Sequence, residues 1–177
     1  MDKETRNNLT VASLAKELGL WSEISEKIKV AGGNNGRRLV SRLAQLPIKR
    51  SGATRRMGSY VSRLGEPVCI RLQFAQEPES LKQTLLHEIA HFCDHQTNQV
   101  ARKYRRAHGA NWQVWATALG TPAKSCGNSE AMEQLYQQRL KLVAVCLKCG
   151  TEFRRVRALN RRRKYFHTEC GGRLRPI

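Results

Sequence analysis

The sequence predicts an α+β fold in which helices pack on a small sheet, followed by a small β module at the C-terminus. Helical periodicity recurs over the first 143 residues, and one segment, 68–74, alternates as a strand does. After Val145 the chain becomes a Cys- and Arg-rich tail without a long helical pattern. We therefore predict two domains, 1–143 and 144–177, with 1–32 as an N-terminal helical extension of unassigned role.

The N-terminal part predicts two helices. Apolar residues at helical spacing indicate a helix over 11–18 with Thr10 as its N-cap. The Gly- and Asn-rich stretch 31–36 is typical of a loop, and a short helix over 37–46 should stop at Pro47.

The middle of the chain predicts a β-hairpin. Alternation over 68–74 indicates a strand with one buried face, made of Val68, Ile70, Leu72 and Phe74. The break at 65–67 suggests a turn after a first strand over 58–63.

Three further helices complete the elements. The segment 80–83 has the form of a capping box and opens a helix that runs through residue 92. Another helix is predicted over 109–119, closed by Gly120, and a last one over 129–143.

The helix after the hairpin carries the motif with the most chemistry, His87-Glu88-Ile89-Ala90-His91. Histidines at i and i+4 share one helix face and can bind one Zn²⁺, while Glu88 lies beside the metal. There Glu88 can act as general base towards a water whose pKa the metal lowers, which is the chemistry of a metallopeptidase. The competing interpretation is a helix with two solvated or core histidines.

A catalytic zinc ion needs a third protein ligand, and the candidates are His95, His108, Cys93 and nearby acids. His95 lies about 12 Å along the helix from His87 at ~1.5 Å per residue, so it is expected to be a surface residue of the helix end. His108 comes from a separate segment that can fold back, and Gly109 beside it permits close approach. We predict His108 as the third ligand.

A second set of metal ligands lies in the tail. Cys146-x-x-Cys149 and His167-x-x-Cys170, each followed by glycine, predict a closed tetrahedral zinc site of a zinc ribbon. We thus expect two Zn²⁺ ions per chain, one catalytic and one structural. Unliganded, reduced thiols are the alternative.

The charge predicts a polyanionic partner. The chain has 32 Lys+Arg against 14 Asp+Glu, a formal net charge of +18. Between the two ligand pairs lie the residues predicted to bind nucleic acid: Arg154, Arg155, Arg157, Arg161, Arg162, Arg163, Lys164 and Tyr165, with Phe153 and Phe166 among them. A solvated basic hairpin is the alternative, and a membrane partner is disfavoured because the tail has no amphipathic helix.

The motif at 87–91 and the segment that begins at His108 together resemble the signature of the SprT-like zinc metallopeptidases. The resemblance rests on the motif at 87–91, on His108-Gly109-Ala110-Asn111-Trp112, on the segments 55–60 and 69–72, and on the ribbon. It implies a zincin-like fold, zinc bound by His87, His91 and His108, and a catalytic Glu88. It also implies proteolysis of DNA-associated proteins, including proteins crosslinked to DNA.

These observations favour a monomeric zinc endopeptidase that acts on DNA-bound proteins. No signal sequence or apolar span is evident, so we expect a cytoplasmic protein associated with the nucleoid, or a nuclear one in a eukaryote. The alternative function is a zinc-ribbon nucleic-acid-binding protein whose metallo-helix is structural or inactive. An intact Glu88 favours the enzyme, because a structural site needs no carboxylate between its histidines.

Overall fold

The computed structural model describes residues 9–98, 107–122 and 129–177. The chain divides into two compact units, an N-terminal unit of residues 1–130 and a C-terminal unit of residues 131–177. Each unit has a hydrophobic core of its own. Within the described ranges no helix is both long and apolar enough to cross a bilayer. The assignment of 1–143 and 144–177 as functional domains stays a prediction.

Three helices open the N-terminal unit: α1 (Val11–Glu17), α2 (Trp21–Gly32) and α3 (Gly36–Ala44). The predicted cap of α1 is confirmed, because Thr10 and Ser13 form a reciprocal capping box. The predicted loop over 31–36 is wrong: α2 runs to Gly32, a 3₁₀ turn follows, and α3 starts at Gly36. A Cβ on Gly36 would lie 2.5 Å from the Lys29 carbonyl oxygen, so glycine here lets two helices meet instead of forming a loop.

A three-stranded sheet follows, made of β1 (Ile48–Arg50), β2 (Gly58–Arg63) and β3 (Glu66–Leu72). Its order is β1-β3-β2, with β1 parallel and β2 antiparallel to β3. The predicted hairpin is confirmed, with Leu64 and Gly65 at positive φ in its turn. Among the described residues, strand β2 forms one edge of this sheet, so its side opposite β3 is not paired with another strand there.

The predicted buried face of β3 is confirmed only in part. Ile70 and Leu72 are fully buried, but Val68 is 38% exposed and Cys69 is fully buried on the opposite face. The prediction assumed that only one face of the strand is buried, whereas the opposite face is also partly buried. On that face the segment before β2 packs over Gln73, because the Gln73 side-chain amide donates to the Ala53 carbonyl at 2.7 Å.

The long helix α4 (Pro78–Thr97) crosses the sheet and packs against β2 and β3. The predicted capping box at 80–83 is wrong, since the N-cap is Glu77 and α4 starts at Pro78. Proline suits the first helical position because its φ is already helical and its missing N–H would have no partner there. The helix therefore begins two residues before the expected cap.

Helix α5 (Ala110–Leu119) packs against α4 and α2, and Gly120 ends it in the left-handed conformation, as predicted. Trp112 of α5 and Phe92 of α4 are among the largest fully buried side chains of the core. The Nε1–H of Trp115 donates to the Thr97 hydroxyl at 3.2 Å and fastens α5 to the end of α4.

The C-terminal unit contains α6 (Glu130–Gln138), except for its first residue, and a second sheet of β4 (Lys141–Cys146), β5 (Glu152–Arg155) and β6 (Leu174–Pro176). The order is β5-β4-β6, and all pairs are antiparallel. The prediction of a helix through Val143 is wrong. Helix α6 ends at Gln138 because the following residues pair with strands on both sides, which periodicity along one segment cannot reveal. With helices and small sheets throughout, the α+β class is confirmed.

Candidate metal sites

The N-terminal unit brings three histidines into one cluster, which we call the three-histidine cluster. His87 and His91 lie one turn apart on α4, and His108 directly precedes α5. The Nε2 atom of His87 is 3.2 Å from Nε2 of His91 and 3.2 Å from Nε2 of His108. All three ligand atoms lie within 4.8 Å of one another. The third histidine that we expected from a separate segment therefore joins the pair on the helix.

The spacing and ionisation of the cluster fit a zinc ion. Zn–N bonds of about 2.0–2.1 Å at tetrahedral angles put ligand nitrogens about 3.3–3.4 Å apart, close to the observed separation. Burial, with the charges of the neighbouring imidazoles, lowers the pKa of His87 to about 4 and of His91 to about 3. Burial also lowers the pKa of His108. The rings are therefore neutral at pH 7, which is the form that binds metal.

Trp112 forms the wall behind this cluster. Its side chain is fully buried, and its ring centroid lies 4.8 Å from His87, 5.3 Å from His91 and 4.5 Å from His108. The indole therefore packs against all three imidazoles at once. Its place in the first turn of α5 explains how His108, just before that helix, is held over α4.

Glu88 lies next to the cluster but is not part of it. Its side chain is 5% exposed, and its Oε2 accepts a hydrogen bond from the backbone N–H of Tyr60 at 2.6 Å. Burial raises the pKa of Glu88 to about 7, although the Tyr60 amide and the positive charge of Arg56 act in the opposite direction. A carboxyl group with this pKa can both accept and release a proton near neutral pH.

Two contacts of this site were not predicted from the sequence. In the first, Gly58 of β2 faces Glu88. In the second, Nδ1 of His95 lies 2.7 Å from the Tyr60 hydroxyl. His95 is half-buried, so the expectation that it lies at the surface is wrong. His95 is not part of the three-histidine cluster, as its distance along the helix indicated. The alternation of Gly58 and Tyr60 on one strand face was the available signal, but only the packing of β2 on α4 gives it meaning.

The C-terminal unit brings its four predicted ligands together, and we call them the C-terminal cluster: Cys146, Cys149, His167 and Cys170. The Sγ atom of Cys170 lies 3.5 Å from that of Cys146 and 3.4 Å from that of Cys149. The Nδ1 atom of His167 lies 3.2 Å from Sγ of Cys149 and of Cys170. The sulfur–sulfur distances are too long for disulfides. They are slightly shorter than the distance between two sulfur ligands of a tetrahedral zinc ion with Zn–S bonds of ~2.3 Å.

The chemistry of the C-terminal cluster also fits zinc. A hydrogen bond from the Thr151 side chain is the main cause that lowers the pKa of Cys149 to about 6, which favours the thiolate that binds metal. While Nδ1 of His167 faces the sulfur atoms, its Nε2 lies 3.5 Å from the carboxylate of Glu169. A carboxylate on the second ring nitrogen is the usual partner of a metal-binding imidazole.

Two similar turns shape the C-terminal cluster. The N–H of Gly150 donates to the Cys146 carbonyl at 3.0 Å, and the N–H of Gly171 donates to the His167 carbonyl at 2.8 Å. Both glycines have positive φ, which side chains disfavour. A Cβ on Gly172 would lie 2.6 Å from Sγ of Cys146, so the two turns also need glycine to approach each other.

The basic residues predicted to bind nucleic acid all have solvent-exposed side chains: Arg154, Arg155, Arg157, Arg161, Arg162, Arg163 and Lys164. Tyr165 is half-buried, and its hydroxyl accepts from the Asn160 N–H at 3.2 Å, so it supports the turn. Phe166 is 59% exposed, which is unusual for a phenyl ring in so polar a segment. Of the aromatic side chains here, Phe166 is the one most open to a partner.

The fold and the first site define the class of protein. It is an α+β protein whose N-terminal unit brings together three histidines that could hold a metal ion, with a buried glutamate on the same helix as two of them. A sequence model described as the SprT-like family matches residues 40–138, more than half of the chain, and the chain belongs to this family. No curated protein and no solved structure gives a significant match.

Proposed function

We propose that this protein is a zinc-dependent endopeptidase that cleaves proteins bound to DNA. One observation supports the catalytic part most strongly. Three imidazole ligand atoms lie within 4.8 Å of one another, and a buried glutamate, Glu88, directly follows one of the three histidines on the same helix. A structural metal site has no use for such a carboxyl group, whose burial costs free energy. Membership of the SprT-like family agrees with this chemistry.

The proposed mechanism assigns a task to each residue of the site. Zn²⁺ bound by His87, His91 and His108 would supply Lewis acidity towards the scissile carbonyl and would lower the pKa of a water to roughly 7. The Tyr60 N–H holds Oε2 of Glu88, so we assign the proton transfer to Oε1. Glu88 accepts the proton of the attacking water and then passes it to the leaving amine.

The C-terminal unit is proposed to be a zinc ribbon that binds DNA. The segment from Cys146 to Ile177 carries ten basic residues against Glu152 and Glu169. Arginine side chains suit phosphate oxygens, and the exposed ring of Phe166 can stack on an unpaired base. Its four metal ligands supply stability that its small core cannot.

DNA binding would then select the substrates. A protein held on the same DNA, by affinity or by a crosslink, meets the peptidase at a high effective concentration, so little side-chain specificity is needed. We expect this activity where the chromosome lies, in the nucleoid or in a nucleus.

A proteolysis assay tests the proposal. A basic DNA-binding protein is incubated with the zinc-loaded chain, with and without DNA, and cleavage is followed by gel electrophoresis. We expect DNA-stimulated cleavage that Glu88→Gln lowers by ~10²–10⁴-fold with zinc content unchanged. Glu79→Gln, an exposed glutamate in the first turn of the same helix, is the matched control and should cleave normally.

The same assay can reject the proposal. Cleavage by Glu88→Gln at the wild-type rate would exclude the general-base role. If the wild-type chain binds DNA and zinc but cleaves nothing, the alternative of a nucleic-acid-binding protein with an inactive metallo-helix is the correct one.

A further inference from the structure

Strand β2 and helix α4 meet along a continuous row of contacts that includes Glu88. At one end, a Cβ on Gly58 would lie 2.6 Å from Cγ2 of Thr84 and 2.9 Å from Oε1 of Glu88. Two residues further along β2, the Tyr60 N–H donates to Oε2 of Glu88 at 2.6 Å. The carboxyl group of Glu88 therefore lies directly against the backbone of β2, in a space that exists because residue 58 has no side chain.

The side chain of Tyr60 continues this row towards the end of α4. Its ring packs edge-on against Phe92, with centroids 6.2 Å apart, and its hydroxyl lies 2.7 Å from Nδ1 of His95. Glu88 and His95 are seven residues apart, about two helical turns, so they share one face of α4. The same residue of β2 thus contacts the helix through its backbone and through its side chain.

The direction of the bond between Tyr60 and His95 follows from their neighbours. Burial lowers the pKa of His95, so its ring is neutral at pH 7. The Gln96 side-chain nitrogen, which can only donate, lies 3.3 Å from the same Nδ1. Nδ1 is therefore the acceptor, and the Tyr60 hydroxyl donates to it.

The position of β2 in the sheet bears on what the hydrogen bond between Tyr60 and His95 does. Among the strands in the described part of the chain, β2 lies at the edge of its sheet and pairs with β3 alone. The Tyr60 N–H points away from β3, towards α4, so the sheet alone does not fix its distance from Glu88. The Tyr60 side chain adds a second attachment of β2 to α4, through His95 and Phe92.

We propose that Tyr60 is a positioning residue for Glu88 and that its hydrogen bond to His95 sets the place of β2 against α4. This inference rests on the proposed function for its catalytic consequence. Gly58 permits the approach, the Tyr60 amide holds the carboxylate, and His95 holds Tyr60.

Four variants and a control test the inference. Tyr60→Phe removes the hydroxyl and keeps the ring on Phe92. His95→Leu removes the acceptor, whereas His95→Asn has nearly the same shape as leucine and offers an oxygen near the place of Nδ1. The fourth variant combines Tyr60→Phe with His95→Leu. Ser62→Ala, on the exposed part of the same strand, is the control.

The first readout comes from NMR of the backbone amide of residue 60. It measures the proton chemical shift and the hydrogen-exchange rate of this amide. In Tyr60→Phe and His95→Leu we expect the amide to lose its bond to Glu88 and to exchange at least ~10-fold faster. Proteolysis should fall by about 10- to 100-fold at unchanged zinc content, because small displacements of a catalytic group are costly. His95→Asn should restore both readouts, and the double variant should be no worse than the single ones.

Each outcome is decisive. An unchanged residue-60 amide in Tyr60→Phe and His95→Leu, or additive effects in the double variant, overturns the inference. Failure of His95→Asn to differ from His95→Leu does the same, since it would mean that packing and not the hydrogen bond is responsible. If the amide responds as expected but the wild-type chain has no proteolytic activity, the positioning role stands and the proposed function fails.

Discussion

Glu88 should reduce the stability of the metal-free N-terminal unit at alkaline pH, so Glu88→Gln should increase it. The ordinary pKa of the carboxyl group is 4.5, and burial in the folded protein raises it to about 7. Between these two values the folded chain binds more protons than the unfolded chain, and stability falls as pH rises. At ~1.4 kcal/mol per pH unit, the ionised carboxylate costs about 3 kcal/mol at pH 8. Glutamine has no charge and avoids this cost.

The measurement is chemical denaturation of EDTA-treated protein at pH 8 and pH 4.5. All three tryptophans, Trp21, Trp112 and Trp115, lie in the N-terminal unit, so their fluorescence follows this unit alone. The histidines of the site also titrate in this range, but they are present in both proteins and largely cancel in the difference. Glu79→Gln serves as the exposed control and should change the free energy of unfolding by less than about 0.5 kcal/mol.

We expect Glu88→Gln to be more stable by about 3 kcal/mol at pH 8 and nearly equal to wild type at pH 4.5. Equal stability at pH 8 would refute the reasoning that burial opposes the charge of Glu88. A gain of the same size at both pH values would show that packing and not ionisation is responsible. A confirmed gain would mean that the chain keeps a destabilising group at this position, as active sites often do.

Two further predictions concern the metals and the basic segment. Elemental analysis should find two zinc ions per chain; His108→Ala should remove one and Cys170→Ser the other, and a wild-type value near one would exclude one of the clusters. Replacing Arg161, Arg162 and Arg163 with Ala should flatten the dependence of log DNA affinity on log salt by up to ~0.9 per arginine with zinc content unchanged. The matched control removes three charges from the N-terminal unit, at Lys16, Lys29 and Lys82. If the salt dependence of DNA affinity is unchanged in the arginine variant, the segment with the three arginines is a solvated turn.

Much of the fold could be predicted because its signals are local. The cap of α1 depends on residues three apart, and the hairpin of β2 and β3 depends on alternation and a turn. The pairing of His87 with His91 depends on one helical turn. Such interactions involve neighbours in the chain, so the order of residues is sufficient to predict them.

Predictions were wrong where the outcome depends on distant partners. The segment after Gln138 has apolar residues that also suit a helix, but β5 and β6 lie beside it, and their backbone groups make a strand the better state. At 31–36 the glycines indicated a loop, whereas the lack of a side chain at Gly36 lets α2 and α3 meet closely. In both cases the residue types are compatible with two structures, and tertiary contacts select one of them.

The candidate site divides in the same way. The sequence by itself determined which side chains can bind metal and which carboxyl group can act as a base, because these properties belong to residue types and helical spacing. The sequence also indicated His108 as the third ligand, and the fold brings it to His87 on α4. Tertiary structure alone decided that Glu88 lies against the Tyr60 amide. Tertiary structure also set the pKa of Glu88, because the burial that raises it comes from chain segments far apart in sequence, which meet only when the protein folds.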